Sequence, residues 1–257
     1  MKKIPKKIYY VWIGNKEKPE IFYQCYNSWK EIMPNYEIIE INENKFPLEE
    51  HLKKNRFLKE CYERELWAYV ADYIRIQYLY ENGGIFLDTD MEIIKDFTKI
   101  PELQNIEEFD FFASFESDDG IGLGLFGSKA KSIIIEKMIE FYKNEIWEKP
   151  LFTIPQIIRY ILKEKMNYNF SEKDIIDKNR GIYILRKEYF YPFLPNEKFD
   201  KSMLKEENYA IHWWQHSWKG NKPFLFLKTK HLRGIKKYLK KLGIYIQIFR
   251  DFIRNKK

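Results

Sequence analysis

Residues 68–90, AYVADYIRIQYLYENGGIFLDTD, place a nearly all-apolar helix, two glycines and a short strand directly before two aspartates. A helix that is apolar almost all round is typical of a buried position. Gly83 and Gly84 allow a tight connection into the strand, with positive φ where it is needed. The sequence therefore predicts a buried helix that delivers its few charged residues to the acidic end of a buried strand.

Asp88 and Asp90 form the first candidate site. Side chains alternate along a strand with a period of two, so we expect the two carboxylates on the same side and close together. Unpaired, they would repel each other, and a divalent cation is the usual remedy. Hard oxygen ligands suit Mg²⁺ or Mn²⁺, which can also hold the oxygens of a diphosphate. The pattern predicts a metal site at the end of this strand.

The preceding helix carries Asp72 and Arg75 among apolar residues. Buried charges need partners, and two interpretations stay open. The two side chains could pair with each other at the i, i+3 spacing. Alternatively, the glycine connection brings both of them close to the aspartates, as parts of one site.

The rest of the chain alternates predicted strands and helices, as a doubly wound α/β sheet does. Besides the strand before Asp88, the predicted strands cover residues 7–13, 36–41, 109–115, 121–127, 182–185 and 208–214. Besides the helix with Asp72, the predicted helices cover residues 17–32, 131–142 and 155–166. The last of these strands would carry His212 back towards the acidic site.

Three sequence blocks, in order, resemble one known family. The pattern A-x-x-x-D-x-x-R, then L-Y-x-x-G-G-I-x-L-D-x-D, covers residues 68–90; IPKKIYYVWIG covers residues 4–14, and YAIHWWQHSW covers residues 209–218. Together they resemble the DXD-containing glycosyltransferases, which include the yeast initiating α-1,6-mannosyltransferase, bacterial capsule and lipopolysaccharide enzymes and, more distantly, the large clostridial glucosylating toxins. A bare D-x-D occurs by chance in many acidic loops, so the specificity lies in the three ordered blocks.

The resemblance implies a fold and a ligand set. The fold is α/β of the GT-A type, with a mixed, mainly parallel central sheet that binds a nucleotide-sugar at the carboxyl ends of its strands. Asp90 would bind Mn²⁺ or Mg²⁺, and Asp88 would reach the ribose and donor sugar, partly through the metal's waters. His212 is similar to the histidine that completes the metal shell, a position for which His216 competes. Without the resemblance, His212 could equally be a histidine satisfied in an aromatic core.

Two further elements take their roles from the resemblance. Asp72 and Arg75 look like the pair that holds the donor sugar's hydroxyls, Arg75 with its planar, multi-donor guanidinium. Trp12, at the end of the first strand, is similar to the aromatic residue that stacks on the base. An ordinary core tryptophan is the alternative for Trp12.

The third block supplies the diphosphate contacts. Ser217 and Trp218 resemble residues whose O–H and N–H donate to the diphosphate, and Lys219, by adjacency, could add a cation there. No nucleophile is evident. Asp118 and Asp119 lie in a loop that could face the acceptor, although a solvated acidic turn is the simpler interpretation.

The reaction implied is transfer of a hexosyl unit, with retention of configuration, from a nucleotide-sugar such as a UDP-sugar to a glycan hydroxyl. Bacterial surface polysaccharide synthesis, on a lipid-linked glycan, is the expected setting. Two alternatives stay open: a toxin-like enzyme that modifies a protein hydroxyl, and an inactive sugar-nucleotide-binding module. Residues 71–72 and 121–128 depart from the family's usual pattern, which leaves the donor sugar and the acceptor open.

Composition favours one catalytic domain followed by a tail. The chain has 257 residues, 45% of them hydrophobic and 18% aromatic, and no low-complexity linker divides it. Cys25 and Cys61 have neither metal-site nor disulfide spacing, which favours a reducing compartment. With no convincing export signal and no run of about 18 apolar residues, we expect a protein that is soluble in the cytoplasm or peripheral on the membrane's inner face.

The basic charge belongs to the C-terminal segment. Residues 228–257 carry a net charge of +10, whereas the whole chain carries +7. Residues 1–227 therefore carry a net charge of −3. We therefore expect a catalytic domain over residues 1–227 and a basic amphipathic helical tail over residues 228–257. Apolar residues at helical spacing between lysines are typical of an interfacial helix on an anionic membrane. The alternative is that they pack on the catalytic domain; a nucleic-acid partner is not expected, because no base-reading motif is present.

Overall fold

The computed structural model describes residues 3–14, 16–118, 120–170, 174–215 and 221–254. The strands in these ranges are β1 Lys7–Val11, β2 Glu37–Ile41, β3 Gly84–Leu87, β4 Met91–Ile93, β5 Phe111–Phe115, β6 Ile121–Ser128, β7 Ile175–Asp177, β8 Ile182–Leu185 and β9 Ala210–His212. The α-helices are α1 Glu20–Ile32, α2 Leu48–Lys54, α3 Arg56–Tyr62, α4 Trp67–Asn82, α5 Ile133–Asn144, α6 Ile154–Tyr160, α7 Asn221–Thr229 and α8 Gly234–Arg254.

Seven of these strands form one sheet, in the order β2-β1-β3-β6-β5-β8-β7. β1 pairs in parallel with β2 and β3, and β5 pairs in parallel with β8. β6 lies antiparallel between β3 and β5, and β7 is antiparallel at the edge. Parallel pairing needs a crossover, which α1 supplies between β1 and β2. Five of the seven strands thus run in one direction, and the predicted mixed, mainly parallel α/β sheet is confirmed.

Both faces of the sheet are covered. Tyr9 and Val11 of β1 belong to one buried cluster, whereas Ile8 and Tyr10, which alternate with them, belong to a second. α4 and α5 contribute to the first cluster, and α1 contributes to the second. Because side chains of a strand alternate between its faces, a strand covered on both sides must be apolar throughout. This accounts for the hydrophobic runs IYYV in β1 and IFL in β3.

α4 is the buried helix that the sequence predicts. It packs against α3 and α5, and its buried residues include both Asp72 and Arg75. The helix ends where the N–H of Gly83, a residue at φ +64°, donates to the Leu79 carbonyl at 2.7 Å. An L side chain rarely adopts this φ, so glycine suits the position at the helix end.

Replacing Gly84 with alanine is expected to destabilise the fold by about 3 kcal/mol or more, since backbone strain and overpacking each cost roughly 1–3 kcal/mol. Gly84 has φ +122°, and a Cβ there would lie 2.5 Å from the Tyr9 ring and 3.1 Å from the Lys7 carbonyl oxygen. Urea unfolding measures the change. Gly243→Ala is the control, because a Cβ at Gly243 meets nothing within 4 Å; equal stability of the two variants would contradict the prediction.

Five elements differ from the sequence prediction. β3 ends at Leu87, before the aspartates, and the predicted strand over residues 208–214 is reduced to β9, which pairs with β4 outside the main sheet. α2 and α3 were not predicted, because a helix of seven residues is too short to show a clear 3.6-residue period. The predicted helix over residues 155–166 is α6 followed by a π-helical turn, Ile161–Lys165.

The chain between the sheet and α8 is anchored to the α/β domain. Leu227 and Thr229 of α7 are fully buried, and the Lys230 ammonium donates to the carbonyls of Ile146 and Lys149. A domain boundary directly after residue 227 would therefore fall within α7, and the division into two units stays a prediction. Among the described residues, no helix combines the length and the apolar character needed to cross a membrane.

Candidate functional site

The two aspartates lie in a turn that follows β3. The turn is closed by the Met91 N–H, which donates to the Asp88 carbonyl at 2.9 Å. The Asp88 N–H donates to the Gly124 carbonyl of β6 at 2.7 Å and so ties the turn to the sheet. The sequence predicted neighbouring carboxylates from strand alternation; the structure brings them together by this turn instead.

His212 approaches the aspartates from β9. The antiparallel register of β4 and β9 places His212 opposite Met91, the residue after the acidic turn. Nε2 of His212 lies 3.1 Å from Oδ1 of Asp90 and 4.0 Å from Oδ2 of Asp88. One ligand atom from each of the three residues lies within 4.8 Å of the others. The structure thus brings together all three metal ligands that the sequence predicts among the described residues.

The donor set of this cluster fits a divalent cation. Two carboxylates and an imidazole suit Mn²⁺, and Mg²⁺ would depend more on the carboxylate oxygens. Nε2 of His212 faces the carboxylates, while its buried Nδ1 has no hydrogen-bond partner within the described part of the chain. The Gln215 N–H donates to Oδ2 of Asp90 at 2.9 Å and orients that carboxylate. Asp88, Asp90 and His212 would together hold the ion.

The charges of these residues depend on one another. Burial opposes ionisation of Asp90, but the neighbouring His212 outweighs it and lowers the pKa of this carboxyl. Burial would also lower the pKa of His212, but Asp90 raises it above its ordinary value. Burial raises the pKa of Asp88, an effect that Arg75 opposes. The raised pKa of His212 therefore favours the protonated imidazole beside the Asp90 carboxylate.

Mn²⁺ is expected to bind more tightly at pH 8 than at pH 6, by about tenfold or more, because the ligand must be a neutral imidazole. The raised pKa of His212 keeps it protonated at the lower pH, so binding must displace a proton. Isothermal titration in two buffers of different ionisation enthalpy measures both affinity and proton release. Affinity independent of pH, with no proton released, would contradict the prediction.

Arg75 links α4 to the acidic turn. One terminal guanidinium nitrogen lies 2.6 Å from Oδ1 of Asp72, and the other lies 3.0 Å from Oδ1 of Asp88. The second nitrogen also donates to the Leu123 carbonyl at 2.9 Å, and the guanidinium lies 4.4 Å from the centre of the Phe86 ring. Both sequence interpretations are therefore realised: the pair forms at i, i+3, and it reaches the site. Burial raises the pKa of Asp72 to about 6, against the opposing effect of Arg75.

Two residues at the site were missed by the sequence analysis. Glu116 follows β5, and burial raises the pKa of its carboxyl to about 7, a rise that His212 opposes and Asp88 reinforces. The Tyr191 hydroxyl accepts a hydrogen bond from the Gly124 N–H at 3.1 Å. A charged residue directly after the apolar run FFASF was an available signal for Glu116, whereas no local pattern pointed to Tyr191.

Gly124→Ala is expected to weaken Mn²⁺ binding by about tenfold, the scale of other changes around a metal's ligands. A Cβ at this position would lie 3.2 Å from Oδ2 of Asp88 and 3.2 Å from the Tyr191 hydroxyl, so the carboxylate would have to shift. Isothermal titration with Mn²⁺ measures the effect, with Gly243→Ala as the control. Unchanged affinity in a folded variant would show that the space beside Asp88 is not needed.

Trp12 lies at the same edge of the sheet as the acidic turn. It follows β1, which runs parallel to β3, so both chain segments leave the sheet on the same side. Its indole N–H donates to the Lys16 carbonyl at 2.9 Å, and its ring lies 6.1 Å from that of Phe22. Trp12 is half-buried, so it covers part of the core and keeps part of its surface exposed.

The remaining predicted residues divide into two groups. Asp118 is exposed and pairs with Lys187 at 2.7 Å, as a solvated acidic turn would. Five predicted candidates lie outside the described residues: Asp119, His216, Ser217, Trp218 and Lys219.

Comparison with solved structures gives distant likenesses. A chain named PaToxG glycosyltransferase is 18% identical, with a TM-score of 0.49, over 64% of this chain and 70% of its own length. A glycosyltransferase involved in the glycosylation of the major capsid of PBCV-1 is 11% identical, with a TM-score of 0.40, over 82% of this chain and 94% of its own. At TM-scores below 0.5, these likenesses carry no argument about activity. No curated protein matches the sequence.

A family comparison gives a direct match. Residues 19–108 match the family described as the glycosyltransferase sugar-binding region containing a DXD motif. The matched residues include Asp72 and Arg75 of α4 together with the acidic turn, which are the elements that the structure brings into one site. Residues 19–108 of this chain therefore match the sugar-binding region of DXD-containing glycosyltransferases, the family that the sequence motifs resemble.

Proposed function

We propose that this protein is a metal-dependent, retaining glycosyltransferase that moves a hexosyl unit from a nucleotide-sugar, a UDP-sugar first, to a hydroxyl of a glycan acceptor. The setting that we propose is bacterial surface polysaccharide synthesis, of capsule or lipopolysaccharide. The observation that carries the proposal is the cluster of Asp88, Asp90 and His212, whose ligand atoms lie within 4.8 Å of one another. It lies at the carboxyl end of β3, where ligands of such sheets bind.

The acidic cluster would hold the donor's diphosphate through a shared cation. Asp90 and His212 would be direct ligands, and Asp88 would be the third. A bound Mn²⁺ or Mg²⁺ offsets the negative charge that develops on the departing nucleotide diphosphate. Gln215 keeps Asp90 oriented through its backbone N–H, so this carboxylate needs little reorganisation on binding.

Asp72 and Arg75 would receive the donor sugar. Arg75 holds Asp88 at 3.0 Å, so a sugar attached to a diphosphate at the acidic cluster would lie close to this pair. Their burial favours strong hydrogen bonds to hydroxyl groups once water is excluded. Trp12, at the same sheet edge, would stack on the base, and Ser217, Trp218 and Lys219 would bind the diphosphate.

The first test is isothermal titration of the full chain with UDP, GDP and their sugars, in the presence of Mn²⁺ and again with a chelator. We expect one nucleotide class to bind, and only with the metal present. Binding of no nucleotide by the folded protein would reject the proposed donor site. Binding that is unaffected by chelation would reject the metal's role and keep the nucleotide site.

Two other functions would be revealed by the products. Labelled donor incubated with glycan and with protein acceptors distinguishes polysaccharide synthesis from a toxin-like modification of a protein hydroxyl. Nuclear magnetic resonance of the new glycosidic bond shows whether the anomeric configuration is retained. Metal-dependent nucleotide binding without transfer or donor hydrolysis would identify an inactive binding module instead.

A further inference from the structure

α8 presents an apolar surface to solvent. Its outer face, as we name it, consists of Ile235, Tyr238, Leu239, Leu242, Tyr245 and Ile246, which are all exposed. The exposed fractions reach 79% for Ile235 and 81% for Tyr238, and Leu239 and Leu242 are 63% and 57% exposed. A surface helix of a globular domain normally turns such residues towards the core. These apolar residues therefore do not pack on the catalytic domain, which was the alternative interpretation of the sequence.

The opposite side of α8 faces the catalytic domain. Lys237, Lys241 and Ile244 are only partly exposed, whereas Lys236 and Lys240 are exposed. Helical spacing separates the two sides, because successive residues rotate by about 100° around the axis. The helix is therefore amphipathic with its apolar side outward and its lysines beside and behind it.

A cationic cavity lies between α8 and the domain. It has a volume of about 550 Å³, and the basic residues that line it are Arg56, Arg64, Lys230, Arg233, Lys237 and Lys241. Glu60 also lines it and pairs with Arg64 at 2.6 Å. Positive charge is thus concentrated on the domain side of α8, which is the polar side that an interfacial helix turns away from the acyl chains.

We propose that the outer face of α8 inserts into the interface of an anionic lipid bilayer, with the surrounding lysines and arginines against the lipid phosphates. None of the residues of this surface belongs to the acidic site, so membrane binding would be a function separate from the proposed glycosyl transfer. A second copy of the chain could cover the outer face with its own α8, but a basic helix supplies no opposite charge for the surrounding lysines. An anionic bilayer supplies both an apolar interior and the opposite charge.

Vesicle co-sedimentation of the full chain tests the proposal without any sugar substrate. The vesicles contain phosphatidylcholine alone or phosphatidylcholine with about 30% phosphatidylglycerol, the range in which an anionic surface attracts basic segments. We expect binding to the anionic vesicles that weakens with salt. Leu239→Gln with Leu242→Gln should reduce it by about tenfold or more for each leucine. Lys236→Gln with Lys240→Gln should reduce it by about fivefold for each lysine at low salt.

The control is a variant with two exposed apolar residues changed elsewhere, Tyr23→Gln with Ile176→Gln, which should bind as the unchanged protein does. Circular dichroism establishes that each variant keeps its helix content. Failure of the unchanged protein to bind anionic vesicles would overturn the proposal, and so would equal binding by the leucine variant. Sedimentation velocity without lipid measures whether the chain self-associates through the outer face. Self-association that the leucine changes abolish would assign the outer face to a second copy of the chain and would overturn the proposal.

Discussion

Replacing Asp90 with asparagine is expected to lower the affinity for Mn²⁺ by at least about 100-fold, beyond the 10- to 100-fold typical of residues that only support a ligand. Asparagine keeps the shape of the side chain and an oxygen that can still accept from the Gln215 N–H. It loses the negative charge that attracts the cation and the partner that raises the pKa of His212. Metal-dependent nucleotide binding and glycosyl transfer should disappear together with metal affinity.

The experiment combines isothermal titration of Mn²⁺ with a donor-hydrolysis assay on the purified variant. Asp200→Asn is the matched control, because Asp200 is outside the site and its carboxylate accepts from Ser202, a role that asparagine can keep. Thermal unfolding of both variants establishes that the fold is intact. Full Mn²⁺ affinity in a folded Asp90→Asn protein would show that the acidic cluster is not the metal site.

Arg75→Met should reduce the free energy of unfolding by roughly 3–5 kcal/mol, as removal of one partner from a buried ion pair does. The change leaves Asp72 and Asp88 without the guanidinium that contacts both, and it removes the donor to the Leu123 carbonyl. Methionine keeps much of the side-chain volume, so the loss reports the charge and hydrogen bonds more than a cavity. Urea unfolding measures it, with the exposed Arg180→Met as the control.

The loss of unfolding free energy in Arg75→Met should also depend on pH. Burial already raises the pKa of Asp72 to about 6 in the presence of Arg75, and removal of the cation should raise it further. A carboxyl whose pKa is higher in the folded state is destabilising once pH exceeds its unfolded value, since the folded protein then binds more protons than the unfolded chain. The variant should therefore recover stability as pH is lowered from 8 to 5.5. An equal loss of unfolding free energy at pH 8 and at pH 5.5 would contradict this account. A similar gain of stability in the Arg180→Met control between these two pH values would also contradict it.

The sequence by itself determined the elements whose signal is local. The apolar run of residues 68–90 predicts α4, its burial and the acidic end of β3, because periodicity and glycine placement act over a few neighbouring residues. Three ordered motifs resemble the DXD-containing glycosyltransferases, and the match of residues 19–108 confirms this resemblance over those residues. The pairing of Asp72 with Arg75 also follows from their spacing along one helix.

Only the tertiary structure decided how distant segments meet. His212 and Asp90 are 122 positions apart, and their contact depends on the pairing of β9 with β4 outside the main sheet. The acidic turn, and not strand alternation, sets the distance between the carboxylates. Glu116 joins the site because β5 ends beside it. The direction of the outer face of α8 was equally undecided, since an amphipathic pattern defines an apolar side but not what that side faces. In each case the deciding quantity is a contact between segments remote in the chain, and a local pattern carries no information about such a contact.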